Sequence, residues 1–351
     1  MENSFFIFTD KQNHIVLERF HICTWEFNNN SSLVEFGFEV SKDSIKDNSL
    51  NISLFIPWVS KDCETKDLYE KLSVTQNSRF IFNDAVINTV SLDGGRNNSG
   101  VIHKFSGRNE LCILPATVEI KENNFVSATL DLQSYNDYDQ ESKPNIYFRF
   151  WIKPSAPYIS MRKKGISKST IIYDIKVNER RNIPDCKVSY FIDKALCEIK
   201  TCFSFNIVPN KYDIVFFDNS SLKNVRTLEY DSFNKYLGDK RVKKDELIVV
   251  FNKKQNSESF TFFSIYSMER IGIGQFALAI LINIICGILL FIPAYRKSFN
   301  PELLFSQVWS KLPIEIFFAF GLATLTFLYF FFPSLQSIWK RILDLVKNKK
   351  R

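Results

Sequence analysis

Three short segments concentrate cations in a pattern that suits phosphate. Arg162, Lys163, Lys164 and Lys168 fall in one loop-like stretch, Arg180 and Arg181 lie between two strand candidates, and Lys240, Arg241, Lys243 and Lys244 precede another. Guanidinium and ammonium groups neutralise phosphate oxygens. Loops of a β-fold can converge on one rim, so the clusters together favour an anionic partner, a nucleotide or an oligodeoxynucleotide. Taken singly, each reads as a solvated turn, and a position beside anionic headgroups would use the same charges. A second set of residues sits in a long apolar run: Gly272, Gln275, Ala279, Asn283 and Cys286 recur at steps of three or four. That spacing puts them on one helix face. Hydrocarbon cannot satisfy an amide side chain, so such a stripe meets protein or water. It either packs helices or lines a conduit, and a conduit would need several copies of the chain. Glu315 opens the second apolar run, where it caps a helix after Pro313 or contributes to an acidic ring in an oligomer.

Other chemistry is sparse. His14, His21 and His103 have no zinc spacing, and neither a nucleophile elbow nor a P-loop is present. Asp93-Gly94-Gly95-Arg96 could offer backbone amides to a phosphate, but turns of this kind are more often hairpin connections. Seven scattered cysteines without a CxxC fit free thiols in a reducing compartment. The expectation is a non-enzyme with no catalytic residue, cofactor or metal.

Two kinds of element must position these residues. From Ile271 to Tyr295 there are 25 residues without a charge, and from Ile316 to Trp339 another 24. About 20 apolar residues cross a bilayer as a helix, so two transmembrane helices are expected at about 272–293 and 315–335. Between them, Leu304, Phe305, Val308, Trp309 and Leu312 at helical spacing suggest a short interfacial helix. Ala319 and Ala323, four apart, offer a close-packing site.

Before residue 269 the pattern is β. Val34, Phe36, Phe38 and Val40 alternate with Glu35, Gly37 and Glu39, and Ile146, Phe148, Phe150 and Ile152 alternate with Tyr147, Arg149 and Trp151. Residues 126–133 behave likewise, and shorter candidates include 50–56, 79–83, 101–105, 111–120, 170–177, 187–192, 198–208, 213–217, 224–230, 246–251 and 259–266. Helices are expected only at Lys61–Ser73 and Asp231–Leu237. Many short strands imply a mainly β soluble N-terminal region, a sandwich or barrel, followed by two transmembrane α-helices.

Charge divides unevenly: residues 1–152 carry a net of −7, residues 153–269 a net of +7, and residues 270–351 another +7. The expected organisation is an acidic β-rich region 1–153, a basic β-rich juxtamembrane region 154–268, a two-helix membrane region 269–339 and a basic tail 340–351. Such asymmetry points to a polyanion or an anionic lipid surface. Met1 to Asp10 has no basic n-region and does not read as a signal peptide. Lys340, Arg341, Lys347, Lys349, Lys350 and Arg351 follow the second apolar run, while the connecting loop has fewer cations. Both termini are therefore expected on the cytoplasmic side of a bacterial inner membrane.

This organisation, a β-rich cytosolic region fused to two membrane helices without an enzyme motif, resembles the membrane effectors of bacterial anti-phage defence, and among them the Hailong-type effector. The resemblance covers the layout of the whole chain and no signature motif. It implies a homotetrameric channel that disrupts the inner membrane, restrained by a DNA oligomer that a partner nucleotidyltransferase makes. The pore-lining candidates are then Gln275, Ala279, Asn283, Cys286 and Glu315. The competing reading is a non-channel membrane-anchored adaptor with a β-rich interaction domain.

Overall fold

Period-two alternation makes a strand stable when one face can be buried, and most of the chain before residue 270 does this. The computed structural model describes residues 3–27, 31–94, 99–139, 142–154, 159–165, 168–218, 220–244, 246–270, 273–299 and 312–325, with Leu304 and Gln307. It divides into one unit of residues 1–163 and 170–268 and another of residues 164–169 and 269–351.

The strands of the first unit run in chain order as β1 (Asn3–Asp10), β2 (Val16–Glu26), β3 (Ser32–Val40), β4 (Ser49–Phe55), β5 (Glu64–Asp67), β6 (Val86–Ser91), β7 (Val101–Phe105), β8 (Leu111–Ile113), β9 (Thr117–Glu122), β10 (Phe125–Asp131), β11 (Asn145–Lys153), β12 (Met161–Lys164), β13 (Lys168–Val177), β14 (Lys194–Leu196), β15 (Glu198–Ile199), β16 (Thr201–Pro209), β17 (Asp213–Phe217), β18 (Leu222–Thr227), β19 (Leu247–Gln255) and β20 (Phe260–Glu269). They form two mixed sheets. The shorter has the order β17-β20-β13-β1-β4-β10-β9, and the longer has β18-β19-β16-β2-β3-β11-β8-β7-β6. The helices are α1 (Tyr69–Leu72), α2 (Thr75–Phe82), α3 (Gln133–Asp137), α4 (Tyr230–Leu237) and α5 (Ile273–Phe299), followed by the shorter apolar α6 (Ile314–Leu325).

The two sheets share one apolar core. Val34, Phe36, Phe38 and Val40 of β3 and Ile146, Phe148, Phe150 and Ile152 of β11 enter it from the long sheet, as their alternation requires. Leu50, Ile52 and Leu54 of β4 and Ile171, Tyr173, Ile175 and Val177 of β13 enter it from the short one. Phe38 and Phe148 are register partners whose rings stack at 4.6 Å, and Phe5 meets Phe36 edge-on at 5.8 Å between the sheets. A bulge between Leu17 and Arg19 shifts the β2 register, so Leu17 and Phe20 are both buried in this core.

Several expectations need correction. Both sheets take strands from either side of residue 153: β1 pairs with β13, and β2 pairs with β16. The charge change there does not separate an acidic from a basic sheet. The N-terminal stretch, whose apolar patch gave no strand expectation, is β1, buried on both faces: Phe5 and Ile7 join the main core, while Phe6 and Phe8 pack with Phe55 and Phe125 in a satellite. Residues 79–83 lie in and just after α2, not in a strand, because a short apolar run fits either state; Asn83 ends the helix in the left-handed conformation at φ 51°. Residues 187–192 lie in a 3₁₀ segment, Asp185–Phe191, and its following residue. Lys61–Ser73 contains β5 and α1, not one helix.

In the second unit, α5 contains the one stretch among the described residues long and apolar enough to cross a membrane, Gly274–Tyr295 with mean hydropathy 2.7. Ile288 and Ile292 of α5 are buried with Leu312 and Ile316, and Ile284, Tyr295, Ala319 and Phe320 pack against them. Ala323 is buried as well. Residues 326–335 of the second expected span, the basic tail, Gly272 and most of the connecting loop lie outside the described residues.

Candidate functional site

The outer face of the long sheet differs from its inner face. There β3 presents Glu35, Gly37 and Glu39, and β11 presents Tyr147, Arg149 and Trp151. Leu68, Tyr69 and Leu72 of the α1 region and Phe233, Tyr236 and Leu237 of α4 are buried with Trp25, Leu33, Tyr147 and Trp151 in a second core. Inside it Arg149 forms an ion pair with the fully buried Glu35. The Glu35 carboxylate also accepts hydrogen bonds from Trp25 Nε1 at 2.7 Å and the Tyr236 hydroxyl at 3.0 Å. Arg149 Nη1 donates to the Tyr147 oxygen at 3.5 Å, and that hydroxyl lies 3.0 Å from His21 Nδ1. Gly37 is required here, because a Cβ would run into the Tyr147 ring that lies across it.

Beside this covered region a cavity of about 440 Å³ opens on β2, β16, β19 and β18, four adjacent strands. It is lined by Arg19 and His21 from β2, Phe203 and Phe205 from β16, Phe251 from β19, and Lys223 and Arg226 from β18. The C-terminal end of α2, through Phe82 and Asn83, and Arg108 line the remainder. The three phenylalanine rings form one stack: Phe205 and Phe251 are 4.6 Å apart and within 2° of parallel, and Phe203 lies 5.7 Å from Phe251. They are only partly buried.

Among the described residues, four cationic side chains line this cavity and no carboxylate does. Behind it, the buried Glu39 accepts from Arg108 Nη2 at 2.9 Å and lies 3.6 Å from Arg19 Nε. One carboxylate against two guanidiniums leaves positive charge facing the cavity. Arg226 Nη1 is 3.5 Å from Glu229, with both side chains substantially exposed, and Lys223 is exposed. Burial and the charges of Arg149, Arg19 and Arg108 hold the His21 pKa well below its usual value, so its ring is neutral at pH 7. The cavity therefore combines a stack of aromatic rings, four cations and a neutral imidazole.

No family model matches this chain, and no curated protein matches it.

The sequence clusters lie elsewhere and do not converge on one rim. Arg162 is paired with the buried Glu26, while Lys163, Lys164 and Lys168 are exposed on β12 and at the start of β13. Arg241 is bound to Asp239 at 2.6 Å, donates to Ser31 at 2.7 Å and covers the Phe27 ring. Arg162 and Arg241 thus flank the connection from β2 to β3. Arg180 and Arg181 are exposed beyond β13, and Arg180 lines a different cavity with Glu198, on the strand that pairs with the opposite end of β2. The 11 residues of β2 span about 36 Å at ~3.3 Å each, which keeps these groups apart. Asp93-Gly94 belongs to the connection between the antiparallel β6 and β7. His103 is buried between Thr89 and the Leu72 carbonyl. Burial raises the Cys112, Cys197 and Cys202 thiol pKa values, which makes them poor nucleophiles. Among the described residues no His, Cys, Asp and Glu group is placed to hold a metal ion.

Gln275, Ala279, Asn283 and Cys286 are all exposed on α5, off the seam made by Ile284, Ile288 and Ile292, and Glu315 is exposed at the second position of α6. Apart from His21, weighed only for zinc spacing, no cavity residue stands out as a site residue in the sequence. The cavity's signal was an inverted alternation in Thr201–Pro209: Cys202, Ser204 and Asn206 are buried while the larger Phe203 and Phe205 face outward.

Proposed function

We propose that the chain is a membrane-embedded, oligomeric, ligand-gated effector or ion channel: α5 and the second apolar segment anchor it in a bacterial inner membrane, and the β-rich unit senses a nucleotide or oligonucleotide on the cytoplasmic side. The observation that carries this reading is the surface of α5. Phe276, Leu278, Ile280, Ile282, Leu289 and Leu290 are all exposed. Water disfavours so much apolar area, and a bilayer accommodates it. On the same helix Asn283 is exposed away from the α5–α6 seam, and in hydrocarbon its amide would lack a partner. A further copy of the chain, or a water-filled conduit between copies, supplies one. In the Hailong-type arrangement that the layout resembles, the copies form a tetramer, and the ligand comes from a nucleotidyltransferase acting with the effector in anti-phage defence.

The test is reconstitution of the full chain in liposomes. Nucleotide-dependent ion leak is expected, and Asn283→Leu should suppress it by drying the mid-membrane constriction while the oligomer persists in cross-linking. If Asn283→Leu dissolves the oligomer, the stripe is packing. If no oligonucleotide or nucleotide, nor its withdrawal, changes leak, the channel reading fails and the non-channel membrane-anchored adaptor takes its place.

A further inference from the structure

We propose that the cavity on β2, β16, β19 and β18 is a nucleotide site, in which the Phe203–Phe251–Phe205 stack receives one base and Arg19, Arg108, Lys223 and Arg226 receive two or more phosphates. The inference rests on the ligand-sensing part of the reading above, but it locates the site away from the basic loops that sequence alone singled out.

Three observations converge on it. The outer face of the long sheet is covered in part by α1 and α4, yet three large aromatic side chains on it remain partly exposed and stacked in parallel. An ordinary solvated sheet face carries polar residues at such positions. A parallel aromatic stack suits a planar heterocycle, because every base offers a π-face. The second observation is charge: four cations line the cavity against two paired carboxylates, Glu39, which Arg19 and Arg108 share, and Glu229, which meets Arg226. A neutral aromatic metabolite would not use this excess, whereas phosphates would. The third is size. A volume of about 440 Å³ lies within the roughly 300–1,000 Å³ typical of small-molecule sites and is too small for a folded partner. His21 adds a neutral imidazole beside Phe203, its ring centroid 4.9 Å from that ring, and the Asn83 amide adds donors and an acceptor at the α2 end. The shared chemistry is a base with adjacent phosphates, which a nucleoside triphosphate or the end of a short oligonucleotide both supply.

The experiment is calorimetric titration of the full chain in detergent with ATP, the 5′-phosphorylated dinucleotide pApA, tripolyphosphate and adenosine. ATP, pApA or both should bind at least about tenfold more tightly than tripolyphosphate or adenosine, and the tighter of the two identifies the source. Lys223→Ala and Arg226→Ala, both at the exposed rim, should each weaken that binding several-fold and reduce its salt dependence. Phe251→Ala should weaken it roughly tenfold or more, and Phe251→Leu, which keeps the apolar packing, should do so while leaving the thermal midpoint near wild type. Arg180→Ala/Arg181→Ala should bind as wild type does. Tripolyphosphate binding as tightly as the nucleotides, wild-type affinity in the Arg226 and Phe251 variants, or loss confined to the Arg180/Arg181 variant would each overturn the assignment. Binding to neither nucleotide would overturn it too. Liposome leak separates the two readings: nucleotide binding at the cavity without leak keeps the site and removes the channel, whereas nucleotide-dependent leak indifferent to the cavity variants keeps the channel and removes the site.

Discussion

Strands β3 and β11 carry different chemistry on their two faces. Inward, Val34, Phe36, Phe38 and Val40 meet Ile146, Phe148, Phe150 and Ile152 in the apolar core. Outward, Glu35 and Glu39 meet Arg149, Tyr147 and Arg108 in a hydrogen-bonded ionic network. The inner face is held by area and packing, which are non-directional and tolerate substitution of similar volume. The outer face is held by partners in fixed geometry, so a lost partner leaves a buried charge. The inner face accounts for why the sheets stack. The outer face sets Arg19, Arg108 and His21 at the cavity edge.

The largest expected effect tests that contrast directly. Arg149→Leu leaves the fully buried Glu35 without its cation and should cost about 3–5 kcal/mol. Glu35→Leu/Arg149→Leu should recover most of the loss, because the buried charge goes with its partner. Denaturant unfolding of the full chain in detergent, followed by tryptophan fluorescence, measures both. A double variant as unstable as the single one would mean that packing around Arg149, not charge pairing, holds the outer face.

Next in size is the matched change on the inner face. Phe38→Leu alters shape at the centre of the core but strands no polar group, and should cost about 1–1.5 kcal/mol. The nearly isosteric Glu35→Gln should cost more than Phe38→Leu despite its smaller change in volume, since a neutral amide cannot serve as counter-ion to Arg149. The reverse order in the same unfolding assay would break the comparison.

This contrast also explains what sequence could show. The inner face was legible because burial on one side imposes period two, and the alternation of 33–40 and 146–152 appears as β3 and β11. The outer network was not, because Glu35 and Arg149 look like solvent-facing residues of an alternating strand until α4 covers them. β1 escaped for the opposite reason: buried on both faces, Phe5-Phe6-Ile7-Phe8 has no alternation to detect. The cavity brings together residues from 19 to 251, a separation that no local motif spans. In the second unit, length and hydropathy sufficed for α5, and of the four-spaced pair the structure buries Ala323 fully and Ala319 in part.

A pH titration sharpens the difference further. Titratable side chains with shifted pKa values are found on the outer face, so that face should contribute to how the unit responds to acid. His21 has its pKa lowered well below 6.5 by burial and by Arg149, Arg19 and Arg108, and His103 has its own lowered by burial. The unfolded chain then binds more protons than the folded one just below pH 6.5, so stability falls as pH drops through that point. Asp67 acts in the opposite sense. Burial raises its carboxyl pKa from 3.8 to about 6, so its contribution is present below pH 3.8 and is lost as pH rises towards 6. Thermal midpoints should therefore decline from pH 7 to 6 under the histidine effect. Asp67→Asn should steepen the decline between pH 6 and 4, and His21→Gln should flatten it near pH 6. A rise in midpoint from pH 7 to 6 would contradict this account.

The smallest effect separates two carboxylates that each pair with a cavity arginine. Glu39 is buried, and Arg108 and Arg19 both lean on it; its loss would leave two guanidiniums crowded without compensation. Glu229 reaches Arg226 at 3.5 Å with both side chains exposed, and pairs of that kind contribute only about 0.2–1 kcal/mol. Glu229→Gln should accordingly move stability by less than about 0.5 kcal/mol, within the range of ordinary surface changes. Its effect on binding should have the other sign. Glu229 competes with a phosphate for Arg226, so removing its charge should tighten ATP or pApA binding about two- to fivefold, the factor that corresponds to an exposed pair. Glu39→Gln should instead destabilise the unit and weaken binding, because Arg19 and Arg108 lose the group that orients them. Titration and unfolding of the two variants side by side make the test. If Glu229→Gln weakens nucleotide binding as Glu39→Gln does, the rim arginine is being positioned by its carboxylate, and the division between a built network and a free rim does not hold at the cavity edge.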